Sequence, residues 1–202
     1  MRRTRLMAAA IGTTALVLAG CGEDGNEDAG GDAVSAPAVA GSRAVLQDAE
    51  GAEVGTVAFS EISTGTEVVA EVRGLEPGFY GLHVHGTGLC EPDSSAPGDP
   101  GRTGAFLSAG GHLGGDDAEH PGHAGDLPAL YVTEDGLGFL TTVTDRFGVQ
   151  DLVSDDDGSA VMIHSGPDNY ANIPERYAPG GPDEDTLGTG DAGSRLACGV
   201  VE

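Results

Sequence analysis

The chain has 202 residues, with 33 acidic side chains against nine basic ones and a formal net charge of −24. Such a surface repels phosphate backbones, which excludes nucleic acid as a partner. Aromatic residues are 4% with no Trp, while 35 Gly and 11 Pro interrupt the chain, so a long helical bundle is excluded and the core falls to Val, Leu, Ile and Ala.

Residues 1–20 read as a signal peptide. Arg2, Arg3 and Arg5 precede an apolar run over 6–18, which is shorter than the roughly 20 residues a membrane span needs. The run ends Leu18-Ala19-Gly20-Cys21, the pattern of a bacterial lipobox. Cys21 is therefore expected to be lipidated, making the chain a cell-membrane lipoprotein on the extracytoplasmic face, anchored without spanning. Without the leader, six Arg face 33 acids, a net charge of −27, and no Lys occurs anywhere. Cys90 and Cys198 remain as an even pair, expected to form a disulfide outside the cytoplasm. Residues 21–41 are small, acidic and Pro-bearing, which describes a flexible linker. Residues 42–202 form the domain.

Within the domain, 43–47, 53–60 and 67–73 are short, Val-bearing and partly alternating, as half-buried strands are. Glu76-Pro77-Gly78 is a turn, and 79–85 a fourth strand. Residues 129–133 and 138–143 flank Glu134-Asp135-Gly136, a hairpin signal. Residues 159–164 and 195–201 complete eight strands. Their spacing predicts an all-β sandwich or barrel. Two long Gly- and Pro-rich stretches, 86–127 and 166–194, interrupt it, and loops of that length are usually functional.

All six histidines fall in these loops or on strands that feed them. His83 and His85 are two apart on a strand, so their rings share one face while Leu82 and Val84 take the other. His112, His120 and His123 lie in the first loop, with Asp126 three residues on, and His164 ends a strand at the second. Imidazole suits copper and zinc, and the count allows two ions, or one with spare ligands.

Gly81-Leu82-His83-Val84-His85, Gly110-Gly111-His112, the run from His123 to Pro128, Ile163-His164 with Asp168-Asn169, and the ending from Gly190 to Val200 (GDAGSRLACGV) together resemble Cu,Zn superoxide dismutase in its secreted bacterial form. The resemblance covers residues 42–202. It implies a Greek-key β-sandwich or flattened eight-stranded barrel. It implies copper bound by His83, His85, His112 and His164, and zinc bound by His112, His120, His123 and Asp126, with His112 shared. Arg195 matches the arginine beside copper and, with His112, is expected to be catalytic. Asp168 matches the carboxylate that links a copper ligand to a zinc ligand, and Cys90 and Cys198 match the family disulfide. The implied activity is dismutation of superoxide to dioxygen and hydrogen peroxide by one-electron cycling of copper, protecting the cell envelope. The alternative is a copper-binding lipoprotein of the same fold without turnover. A homodimer is compatible with the family, whose members associate through different surfaces.

Three features depart from the family pattern. His120 and His123 are only three apart, which leaves room for Asp116 or Asp117 to replace one of them at zinc. The absence of Lys leaves Arg195, with Arg102 or Arg176, to attract an anion. The segment 170–182 adds length and is expected to form part of the channel rim.

Overall fold

The computed structural model describes residues 41–202 apart from Asp117 and Asp155. The segments expected to be a signal peptide, a lipidated Cys21 and a linker lie, up to residue 40, outside the described residues. The elements are β1 (Gly41–Asp48), β2 (Glu53–Ile62), β3 (Gly65–Arg73), β4 (Gly78–Tyr80), β5 (Leu82–His85), β6 (Ser94–Ala96), β7 (Asp99–Gly104), β8 (Leu130–Val132), β9 (Leu137–Thr144), β10 (Ala160–His164), α1 (Glu184–Thr189) and β11 (Arg195–Val200). Two short 3-10 turns, Leu107–Ala109 and Val149–Leu152, fill connections.

Nine strands form one antiparallel sheet in the order β4-β8-β9-β3-β2-β1-β11-β10-β5. The expected fourth strand is split. β4 pairs with β8 at one end of that order, and β5 pairs with β10 at the other. The two halves meet at Gly81, so a single chain run nearly closes the sheet into a barrel. Glycine fits at that point because a side chain at Gly81 would press on the Cβ of Ala192 at 2.6 Å, where the second loop crosses. Counting that run as one strand gives the eight expected. β6 and β7 form a separate hairpin inside the first long loop, which the sequence reading treated as irregular.

Alternation decides which side chains enter the barrel. Along β1, Ala44 and Leu46 are buried while Arg43 and Gln47 are exposed. The barrel core gathers Leu46, Val57, Phe59, Val68, Leu82, Val84, Leu130, Leu152 and Ile163. β5 and β10 are buried on both faces. Their inner faces (Leu82, Val84, Val161, Ile163) complete the barrel core. Of the outer positions, Ala160 and Met162 join Phe106, Ala109 and Cys198 in a second cluster under the first loop, while His83, His85 and His164 stand beside it.

Cys90 and Cys198 are bonded, with Cα atoms 5.6 Å apart across 108 residues. The bridge ties the first loop to β11, three residues from Arg195. Replacing both cysteines by Ser is expected to lower the unfolding free energy by about 4–5 kcal/mol on the chain-entropy scale. Urea titration checks it; an unmoved midpoint would rule out loop closure as the contribution.

Candidate metal centre

The rim of β5 and β10 builds the site. Both strands are held by ladder bonds, and the first loop docks on β5: Val84 donates its N–H to the Gly125 carbonyl and accepts from the Leu113 N–H, each at 2.8 Å. Gly125 fits there because a Cβ would collide with the Val84 carbonyl. This docking sets His85 opposite His112 and His83 opposite Asp126. All six histidines are buried. Burial of six imidazoles in an acidic chain is not a packing preference and calls for a specific partner.

His83, His85, His112 and His164 form the first group, with one ligand atom from each lying within 4.8 Å of the others. Hydrogen bonds on their far sides decide which nitrogen faces inward. His85 Nδ1 donates to the Gly110 carbonyl at 2.9 Å, and His164 Nδ1 to the Gly193 carbonyl at 3.3 Å. Their Nε2 atoms are left facing one another at 3.4 Å. His83 reverses the pattern: Nε2 donates to Asp168 Oδ2 at 2.8 Å, leaving Nδ1 buried without a hydrogen-bond partner. His112 Nε2 is likewise buried and unpartnered. Orphaned buried nitrogens cost stability unless something else occupies their lone pairs.

The second group contains His112, His120 and Asp126, with His83 at its edge. His83 belongs to the first group, because its Nε2 is engaged by Asp168 and its ring lies 4.0 Å from His112. His123 stands beside this group, though not within it. Its Nδ1 is 3.3 Å from His112 Nδ1 and 3.3 Å from Asp126 Oδ1. Asp126 Oδ1 is also 2.8 Å from His112 Nδ1 and 3.1 Å from His120 Nδ1. A tetrahedron of ligands about 2.0 Å from an ion has edges of about 3.3 Å, and these four distances lie close to that. The three-residue spacing between His120 and His123 is therefore compatible with both rings entering. Asp116 belongs to neither group and is not needed as a substitute.

Electrostatics prepare these atoms for cations. Burial, then the Arg195 charge, holds His85 well below the ordinary imidazole range. Burial brings His112 down to about 4, against the pull of Asp126, and His164 down to about 3, with His83 adding to the fall. All three are neutral at pH 7 and offer lone pairs. His120 moves the other way, up to about 9: burial opposes protonation, but the bonds to Asp126 and Asp168 outweigh it. Its Nδ1 thus sits where positive charge is favoured, and a dication there replaces a proton. Burial pushes Asp126 and Asp168 up, yet their histidine bonds keep both well below the usual carboxylate range.

A cleft of about 690 Å³ reaches the first group, lined by His85, His112, His164, Arg102, Thr189 and Arg195 among others. Arg195 donates Nη1 to the Phe106 carbonyl at 2.6 Å and Nη2 to the Gly110 carbonyl. Burial, then the neighbouring Arg102, lowers its pKa to about 10, so it stays cationic at neutral pH. Arg176 does not line this cleft; its guanidinium lies over the Tyr177 ring at 4.7 Å. Nor does 170–182 line it; the cleft walls come from the first loop between Ala96 and His112 and from the stretch between Asp185 and Arg195. Tyr170 packs instead on the far side: its ring stacks on His120, and its hydroxyl accepts the Ala129 N–H at 2.7 Å. That role, and the carbonyls of Gly110 and Gly193, carried no local sequence signal.

Residues 53–201 match the family described as copper/zinc superoxide dismutase. The chain belongs to this family. It is 46% identical over 186 residues to a Cu-Zn superoxide dismutase of Mycolicibacterium paratuberculosis, covering 85% of this chain and 78% of that one. A Cu-Zn superoxide dismutase of Mycobacterium tuberculosis is 47% identical over 165 residues, covering 75% of this chain and 66% of the relative. The solved Cu/Zn superoxide dismutase from Brucella abortus superposes with a TM-score of 0.62 at 29% identity, over 81% of this chain and all of that one. The fold expectation, an all-β barrel with two long loops, agrees with these likenesses.

Asp168 is bonded to His83 in the first group and to His120 in the second. Asp168→Ala is expected to weaken metal binding by about 10–100-fold, measured by chelator competition. Asp168→Asn, which can bond one ring at a time, should fall between. Parent-like affinity in both variants would show that Asp168 does not orient the rings.

Proposed function

We propose that the protein is a lipid-anchored superoxide dismutase acting on the extracytoplasmic side of a membrane and protecting the cell envelope. His83, His85, His112 and His164 hold copper, and His112, His120, His123 and Asp126 hold zinc. The observation that carries this reading is His112: its unpartnered Nε2 belongs to one group and its Nδ1 to the other. When bound, copper supplies the one-electron chemistry by which one superoxide leaves as dioxygen and a second, with two protons, as hydrogen peroxide.

The chain's own residues do the rest. Arg195 is pinned through both Nη atoms to two carbonyls, so its remaining N–H donors and fixed charge meet an incoming anion without reorganisation. Gly110 couples it to the site, because its carbonyl accepts from both Arg195 and His85. His112 Nε2 is the atom at the cleft on which a proton is held and passed on. Asp168 keeps the His83 and His120 rings in one tautomer each. The membrane link rests on the basic start, the short apolar run and Leu18-Ala19-Gly20-Cys21. Among the described residues no helix is long and apolar enough to cross a membrane.

The deciding experiment loads the domain with copper, with and without zinc, and measures metal content beside superoxide turnover. Fast turnover at near-stoichiometric copper is expected; tight copper without turnover would overturn the enzymatic reading. Arg195→Ala is expected to lower kcat/KM by about 10–100-fold at unchanged copper content. The parent rate is expected to rise with added salt, since screening weakens repulsion between superoxide and a −27 chain; a falling rate would mean that the cleft's own cations dominate. Cys21→Ala in the full chain should move the protein from the membrane fraction to the soluble one.

A further inference from the structure

We propose that Arg146 positions the zinc-side loop, holding it so that His120 and His123 turn their Nδ1 atoms to one ion. The inference rests on reading His112, His120, His123 and Asp126 as a zinc group. Arg146 lies two residues beyond β9, far from the ligands in sequence. Its Nη1 donates to the Pro121 carbonyl at 2.8 Å and to the His123 carbonyl at 3.0 Å. One Nη1 carries two hydrogens, one for each carbonyl. Among the described residues no carboxylate pairs with Arg146, whereas Arg73 pairs with Glu53 at 2.6 Å.

The loop needs such a clamp. Side chains three apart face together when a helix holds them, but 118–126 has no helix. Its internal backbone N–H bonds are three: Gly122 N–H to the Glu119 carbonyl at 2.7 Å, His123 N–H to Asp126 Oδ2 at 2.9 Å, and a longer Asp126 N–H to the His123 carbonyl at 3.3 Å, and none of them ties the Pro121 or His123 side of Gly122 to the barrel. Pro121 has no N–H to give. On one side the His120 N–H is tied to the Leu187 carbonyl at 2.7 Å. On the other, Arg146 takes the two carbonyls that bracket Gly122. Bonds from a cation are roughly twice as strong as neutral ones, and a planar guanidinium fixes direction better than an ammonium. Arg146 is exposed and lines an open cleft with Asp126 and Tyr170, so removing its head group leaves the barrel core intact.

The test compares the full metal-loaded protein with Arg146→Ala and Arg146→Lys. Zinc affinity is read by chelator competition, site geometry by the visible spectrum of cobalt placed at the zinc site, and copper by content. Arg146→Ala is expected to bind zinc about 10–100-fold more weakly, with a changed cobalt spectrum and unchanged copper. The metal-free melting temperature should stay within about 2 °C, as for a surface substitution. Arg146→Lys should recover part of the affinity. Zinc affinity within twofold of the parent would overturn the proposal, and so would a joint fall in both metals and in metal-free stability. A parent protein that holds no zinc would instead sink the zinc reading of His120 and His123.

Discussion

Asp168 is buried, ionised and shared. Its two oxygens accept from His83 Nε2, from His120 Nε2 and from the Tyr170 N–H, at 2.8, 2.8 and 2.7 Å. A carboxylate out of water costs several kcal/mol unless its lone pairs are answered, and here three donors answer them. The same bonds decide which nitrogen of His83 and of His120 is left for a metal. One carboxylate therefore sets one ring in each group, and neither group is built independently of the other. Gly190 seals the arrangement from above. It has a positive φ of 64°, and any side chain there would strike Asp168 Oδ1 and His120 Nε2. The residue that ends α1 is thus also the lid over the carboxylate.

Local pattern was enough for much of this architecture. Alternation at Ala44 and Leu46, or at Val68, Ala70 and Val72, carries its own evidence, because burial of one face repeats every second residue. The His83–His85 pair was legible for the same reason. The need for glycine at 81 was not, because it comes from Ala192, more than a hundred residues away. The quartet proposed for zinc was legible as residue types but not as geometry: three-residue spacing says nothing about a non-helical turn until its carbonyls are tied. Tyr170 and Arg146 were illegible as site residues. Each acts through a contact made only after folding, the first with the His120 ring and the second with two backbone oxygens.

Two of the chain's few cations stand at the entrance to the site. Arg195 and Arg102 line the cleft that leads to the first group, and Asp185 and Asp191 line it too. The carboxylate of Asp191 is engaged by Asn169 and by the Thr186 hydroxyl, at 2.8 and 2.7 Å, so part of its acceptor capacity is turned away from the opening. Attraction for an anion is thus a short-range property of the cleft, set against a long-range field of opposite effect.

The docking of the first loop on β5 has a consequence for self-association. β5 is the last strand of the sheet, and an uncovered last strand offers its peptide groups as a template for a neighbour's chain. Here both peptide groups of Val84 are taken by Gly125 and Leu113, and the Gly86 N–H by Gly111. The segment that carries His112, His120, His123 and Asp126 is therefore also the guard of the sheet's margin.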